Sequence, residues 1–196
     1  MAHNFFALIH RMRYITRWSL MRNSVAENIA EHSHMTAVIA HALGLIRRDI
    51  FGRDCDVGDL TAVALYHDAS EILTGDLPTP IKYHSRQIKS AYDEVEKLAC
   101  RKLLNTLPES MRRSYRDLFT AEEDKERYAL VKAADKLSAY IKCIEERKAG
   151  NLEFVSAEAS TRKILEESPL PEVQYFLEHF IPAFEKNLDE LGTIED

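Results

Sequence analysis

Apolar positions recur at helical spacing over most of the chain. The clearest run lies near the C-terminus, where Val173, Phe176, Leu177, Phe180, Ile181, Phe184, Leu188 and Leu191 follow at steps of three and four and share one face. Pro169 and Pro171 precede it, where a bent chain can start a helix, and Pro182 inside it should kink the run or split it in two. Residues 85–107 carry Ile88, Tyr92, Val95, Ala99 and Leu103 as a stripe that stops before Pro108. Residues 122–148, rich in Ala, Leu, Lys and Glu, close at Gly150, a residue suited to a C-terminal cap. Residues 26–48 set Met35, Val38, Ile39, Ala42, Leu45 and Ile46 on one broad face. Residues 59–73 are apolar almost all the way round, which predicts a central buried helix. No alternating strand pattern with hairpin turns occurs, so the expected fold is all-α. No repeat, low-complexity tract or linker divides the 196 residues, which fit a single domain.

Composition narrows the function. With 45% hydrophobic and 30% charged residues the balance is globular, and six Gly and six Pro leave room for long helices. A net charge of −6 argues against a polymeric nucleic-acid partner, which needs a clustered basic surface. A small anion stays within reach, because local cations and a metal outweigh distant surface charge. Cys55, Cys100 and Cys143 lack CxxC spacing and read as reduced thiols. The start, MAHNFFALIHRMR, has no signal-peptide pattern, and no stretch reaches the roughly 18 apolar residues that span a bilayer. A soluble, cytoplasmic protein with no membrane partner is expected.

The chemistry stands out against the predicted buried helix. At about 100° per residue, His67, Asp68 and Glu71 fall within one arc of an otherwise apolar element. Buried, unpaired carboxylates are costly, so the three must be hydrogen-bonded to one another, paired with cations or bound to a metal. A satisfied polar cluster and a ligand set both fit that requirement. His32, within AEHS, sits at the edge of the apolar face of its helix and can point along a helix interface. His34 and His41 point away from that face, and His3, His10, His84 and His179 share no spacing with it.

His32, the His67–Asp68 doublet and Asp135 in VKAADKLSAY together resemble the H…HD…D signature of the HD-domain phosphohydrolase superfamily. The resemblance implies an HD-type helical bundle, its core over about residues 26–148 with the terminal helices packed on it. It implies that His32, His67, Asp68 and Asp135 hold one divalent cation. Two imidazoles with two carboxylates suit Mn, Fe, Co, Ni or Zn better than Ca or Mg, with Co2+ or Mn2+ expected. Asp135 rests on the resemblance alone. It lies opposite the stripe of Leu130, Ala134, Leu137, Ile141 and Ile144, and periodicity by itself makes it a solvated acid.

Two segments narrow the likeness, RWSLMRNSVAENIAEHS (residues 17–33) and YHDASEILTGDLPTPIKY (residues 66–83). They resemble the bacterial 5′-deoxynucleotidases of that superfamily, as do FFALIHR near the start and YIKCIEE around Glu145. Ser19 departs from the pattern, where Pro is expected. The family removes the 5′-phosphate from deoxyribonucleoside 5′-monophosphates, tolerates different bases and forms homodimers. Arg17 offers a planar fork of donors for a phosphate dianion. Trp18, the only tryptophan, offers a ring to stack on a base or sugar or to fill a core. The loop TGDLPTP holds two prolines and forms a stiff wall or a simple helix stop. By resemblance, Asp76, Leu77, Pro78 and Thr79 line the nucleotide, Asp76 lies near the sugar, and His32, Asp68 and Asp135 also face the substrate. The implied mechanism is hydrolysis by water made more acidic at the cation. Arg17 offsets phosphoryl charge, and Glu71 orients the water or relays a proton to the leaving oxygen. The stripe of Phe176, Phe180 and Phe184 fits either a dimer interface or the core.

Three rival functions are weighed. A cyclic-nucleotide phosphodiesterase would want a second ligand pair, and a dNTP triphosphohydrolase more basic residues. A non-catalytic HD module would not need Arg17, Glu71 and TGDLPTP together.

Overall fold

The computed structural model describes residues 2–120 and 124–192, so the first two positions of the expected helix over 122–148 lie outside the described residues. Ten α-helices occupy the described chain: α1 (Phe5–Ile9), α2 (Ile29–Leu45), α3 (Val57–Tyr66), α4 (Glu71–Thr74), α5 (Thr79–Lys82), α6 (Arg86–Leu104), α7 (Glu109–Phe119), α8 (Lys125–Lys148), α9 (Val155–Glu166) and α10 (Pro171–His179). No strand is present among the described residues; a single antiparallel bridge joins Thr16 to Asn28.

The centre is a three-helix crossing. α2 packs on α3 and on α8, with α9 against the far side of α8. α2 starts at a capping box: the Asn28 side chain accepts from the Ala30 and Glu31 amides, while Glu31 reaches back to the Asn28 amide. Gly44 permits the close approach to α3, since a Cβ there would meet Leu60 at 3.2 Å and Val57 at 3.3 Å. Ala37, Ile39, Ala40 and Leu43 of α2 share one buried cluster with Leu60, Val63 and Ala64 of α3 and Leu130, Ala134, Leu137 and Ile141 of α8. Leu165, Val173, Phe176 and Ile181 join the same cluster from the C-terminal side. A smaller cluster gathers Phe5, Met12, Ile29, Ala69, Leu103 and Leu107 beneath the N-terminal segment. A buried ion pair ties the segment after α2 to α10, where Arg47 donates to Glu172 at 3.0 Å; its other arm reaches the exposed Glu126 of α8 at 2.8 Å.

Several expectations are corrected. On α2, Met35 (40% exposed) and Val38 (49%) point outward, and His32, expected at an edge, is fully buried. The buried arc runs through His32, Ser33, Thr36, Ile39, Ala40 and Leu43. Polar residues within that arc displace the centre that an apolar count suggests. The run over residues 59–73 is not one helix. α3 ends at Tyr66, and the chain turns through residues 67–70 before α4. The Ala64 carbonyl, which a continuing helix would offer to the Asp68 amide, accepts instead from His67 Nδ1 at 2.7 Å. Ala69 and Glu71 then bond three residues back, to Tyr66 and Asp68. Leu65 and Leu73 are exposed, so the segment is not buried all round.

On α6, Ile88 and Val95 are exposed although they belong to the expected stripe, whereas Ala99 and Leu103 are buried. α8 ends as expected, with the Gly150 and Asn151 amides bonded back to Arg147 and Glu146 and Gly150 at φ 82°. The C-terminal run does split near Pro182, into α10 and a 3₁₀ turn over Ile181–Glu185. Leu188 and Leu191 therefore leave the shared face and are exposed. Of the three C-terminal rings Phe176 is core, Phe184 packs on the core, and Phe180 is exposed. The apolar spacing did not mark α1, α5, α7 and α9.

Candidate active site

α2, the turn after α3, and α8 each bring one part of a polar cluster to the crossing. His32 is wholly buried, and its Nε2 lies 3.1 Å from Asp135 Oδ1 and 3.6 Å from Asp68 Oδ2. His67 Nε2 lies 3.1 Å from Asp68 Oδ2, and the two imidazole rings sit 5.3 Å apart. His32, His67 and Asp135 each present a ligand atom, all within 4.8 Å of one another. Asp135 is thus no solvated acid. α8 is buried on nearly its whole circumference, and the side opposite its main stripe faces α2.

The donor set fits a cation. His67 spends its ring proton on the Ala64 carbonyl, and its buried Nε2 has no hydrogen-bond partner. That nitrogen and the nearby Asp68 oxygen are both electron-pair donors. Their neighbours make the field strongly negative. Burial raises the Asp68 and Asp135 carboxyls, but the facing imidazoles, with Lys132 for Asp135, hold both below the usual range. Burial lowers His67, yet Asp68 and Asp135 draw it upward overall. A site that attracts a proton this way attracts a metal ion too.

Glu71, first residue of α4, is buried, and its Oε2 accepts no hydrogen bond. Burial, then Asp68 and Asp76, push its carboxyl up to about 10, against Arg17 and Lys82. Asp76 is raised in the same way, by burial and Asp68, against Arg17, His32 and the Trp18 backbone N–H. Arg17 completes the group. Burial lowers its guanidinium, but Glu27, Asp68, Asp135 and Asp76 raise it overall. Trp18 packs on Phe154, ring centroids 5.2 Å apart, and donates its indole N–H to Glu27 at 2.9 Å.

The structure therefore joins Arg17, Trp18, His32, His67, Asp68, Glu71, Asp76 and Asp135. Leu77 and Pro78 are half-buried on the stretch entering α5, Thr79 is exposed there, and Pro78 accepts the first helix bonds from Ile81 and Lys82. The turn before them is fastened by Tyr92, whose hydroxyl donates to the Gly75 carbonyl at 3.1 Å and to Thr74 at 3.2 Å. Sequence reasoning missed Glu27 and Lys132, the latter with its Nζ 3.9 Å from Asp135. The step of three from Lys132 to Asp135 was a readable signal; for Glu27 there was none beyond its place before α2.

Residues 4–184 match the sequence model described as 5′-deoxynucleotidase YfbR-like. The chain belongs to this family. It is a 5′-deoxynucleotidase, an HD-domain hydrolase that releases phosphate from deoxyribonucleoside 5′-monophosphates. A 5′-deoxynucleotidase of Shewanella oneidensis is 45% identical over 190 residues, 96% of this chain and 97% of its relative. One from Yersinia pestis (strain Pestoides F) is 46% identical over 196 residues, 98% of each chain. Among solved structures, an HD-domain phosphohydrolase from Listeria innocua superposes with a TM-score of 0.80 at 25% identity, covering 92% of this chain and 88% of that one. A cyanophage S-2L HD phosphohydrolase, bound to dA and one catalytic Zn2+, shares the fold at a TM-score of 0.61 and 22% identity, covering 92% of this chain and 96% of that one. Among the described residues no helix is long and apolar enough to cross a membrane.

Proposed function

We propose that in this 5′-deoxynucleotidase His32, His67, Asp68 and Asp135 hold one divalent cation of the Co2+ or Mn2+ type, and that Arg17 and Glu71 act on the 5′-phosphate beside it. The observation that carries this reading is His67 Nε2, buried without a hydrogen-bond partner, 3.1 Å from a carboxylate oxygen. Two electron-pair donors side by side repel unless a positive charge lies between them. When bound, the cation supplies Lewis acidity toward a phosphoryl oxygen and makes a water more acidic.

The protein's own residues do the rest. Arg17, one edge held by Glu27, keeps its remaining donors for the dianion and so orients it. Burial, with the Asp68 and Asp76 carboxylates, disfavours the charged form of Glu71 and so favours a carboxyl that holds its proton. A protonated carboxyl there donates to the leaving 5′-oxygen, which must otherwise depart as an alkoxide. Asp76, with Leu77, Pro78 and Thr79, forms the wall on the sugar side, where its raised carboxyl is set to meet a deoxyribose. The resemblance to HD enzymes and the shared end of the Gly75–Pro78 turn with Glu71 support this side of the reading. The same reading takes residues 1–196 as one domain, since α9 and α10 place Leu165, Val173 and Phe176 in the cluster of α2, α3 and α8.

The test is phosphate release from dAMP by chelator-treated protein, with Co2+, Mn2+ and Zn2+ added back in turn, and with AMP, dATP and a cyclic nucleotide as competitors. Release that survives complete chelation removes the cation from the reading. Equal rates on dAMP and AMP remove Asp76 from the selection of sugar.

A further inference from the structure

Glu27 stands just before α2 and is half-buried. Its Oε2 accepts two hydrogen bonds, from Arg17 Nη1 at 2.8 Å and from Trp18 Nε1 at 2.9 Å. Its other oxygen, Oε1, lies 3.8 Å from His32 Nδ1, the ring nitrogen that also faces Ser138 Oγ at 3.2 Å. One carboxylate therefore touches the phosphate-side arginine and the lone tryptophan, and looks onto the back of an imidazole in the acid cluster. The backbone repeats the link, with the Arg17 amide bonded to the Glu27 carbonyl at 2.9 Å and the Ile29 amide to the Ile15 carbonyl at 3.0 Å.

A second, independent observation falls on the same residues. Trp18 is the only non-glycine among the described residues with positive φ, at 59°. A bulky side chain in the left-handed region is strained, and persists only where the surroundings over-determine it. Here they do: the indole is tied to Glu27 and packed on Phe154, and the Trp18 carbonyl accepts from the Met21 amide at 2.9 Å. That conformation sets the indole, directly beside Arg17 in the chain, against Phe154 and Glu27. The Arg17 guanidinium and the Trp18 indole thus share one carboxylate, with Glu27 holding both.

We propose that Glu27 is a positioning residue for the nucleotide: it fixes the Arg17 guanidinium and the Trp18 indole as one unit, setting the direction of the phosphate contact. This rests on the assignment of Arg17 to the phosphate. Glu27 touches no reacting atom and acts through its two partners. Gln at this position keeps an oxygen that accepts both bonds but loses the charge that opposes the guanidinium.

The experiment is a double-mutant cycle on the full chain, with the emission of Trp18 as the readout that needs no turnover. Glu27→Ala should lower kcat/KM about 100-fold and Arg17→Ala by a similar factor, while the double variant falls no more than about threefold below Arg17→Ala alone. Glu27→Gln should recover about tenfold of the loss, because its amide oxygen still accepts from the indole. In the metal-free protein the emission of Trp18 should shift to the red in Glu27→Ala and stay near the parent in Glu27→Gln, with far-UV circular dichroism unchanged. Multiplying losses in the double variant, or a Glu27→Ala protein within threefold of the parent, overturns the proposal. Should Arg17→Ala itself be near normal, the phosphate assignment falls and this inference falls with it. A damaging Arg17→Ala with a harmless Glu27→Ala overturns the inference alone.

Discussion

His67 donates its Nδ1 hydrogen to the Ala64 carbonyl at 2.7 Å, and so turns its Nε2 toward the carboxylate of Asp68, 3.1 Å away. The same bond does two jobs. It interrupts α3 by taking the carbonyl of its last full turn, and it fixes the imidazole tautomer that can serve as a ligand. The break in the helix and the ligand geometry thus have one cause.

Loss of Asp68 should therefore be severe. Asp68→Ala should cut kcat/KM on dAMP by more than about 10³-fold, the scale of losing a charge-stabilising group, and abolish tight cation uptake. Steady-state kinetics with metal analysis of the dialysed protein measures both. Full activity with Ala at this position refutes the ligand assignment.

Glu71 is expected to divide differently. Glu71→Gln keeps the side-chain volume and the cation but removes the transferable proton, so kcat on dAMP should fall about 10²–10⁴-fold with metal content unchanged. A substrate with a far better leaving group should lose much less. An equal loss on both substrates would take Glu71 out of the leaving-group step.

Gly75 sits at φ 73° at the end of α4, with open space where a Cβ would go. Gly75→Ala pays only backbone strain, about 1–3 kcal/mol, but relieves it by shifting the turn that carries Asp76. KM for dAMP should rise about tenfold with little change in melting temperature. An unchanged KM would place that turn outside the nucleotide site.

Glu146 predicts acid sensitivity away from the cluster. Its buried carboxyl accepts from Lys142, from Asn151 at 2.8 Å and from the Ser24 amide at 2.8 Å, so it anchors the loop that follows Trp18. Burial raises it, but the hydrogen bonds to Lys142, Asn151, Ser24 and Val25 bring it down to about 2, from an ordinary 4.5. A depressed carboxyl stabilises the fold above its unfolded value, and the contribution drains away as pH falls from about 4.5 toward 2. Its size is about 3 kcal/mol. Glu146→Ala should cost about 3–5 kcal/mol at pH 7 by leaving the buried Lys142 ammonium with the Val25 carbonyl but no counter-charge, and should flatten that acid limb in urea titrations. A variant with the parent's acid profile would contradict this.

Sequence alone reached the all-α class, helices over residues 85–107 and 122–148 that correspond to α6 and α8, the cap at Gly150 and the break near Pro182. These follow from local rules: spacing of apolar residues, caps and proline. It also marked His67, Asp68 and Glu71, since charged groups on an apolar element demand an explanation. His32 and Asp135 needed more. The first is polar within the arc that buries it, so an apolar count placed it at an edge. The second faces away from the main stripe of α8, and only the packing of α2 against that side brings its carboxylate 3.1 Å from His32. The end of α3 was hidden because a side chain, not a proline or glycine, takes the backbone carbonyl. Glu27 was hidden because its role exists only once Arg17, Trp18 and His32 are brought around it. Periodicity reports which face of a helix is apolar; which polar groups meet across helices is decided by packing.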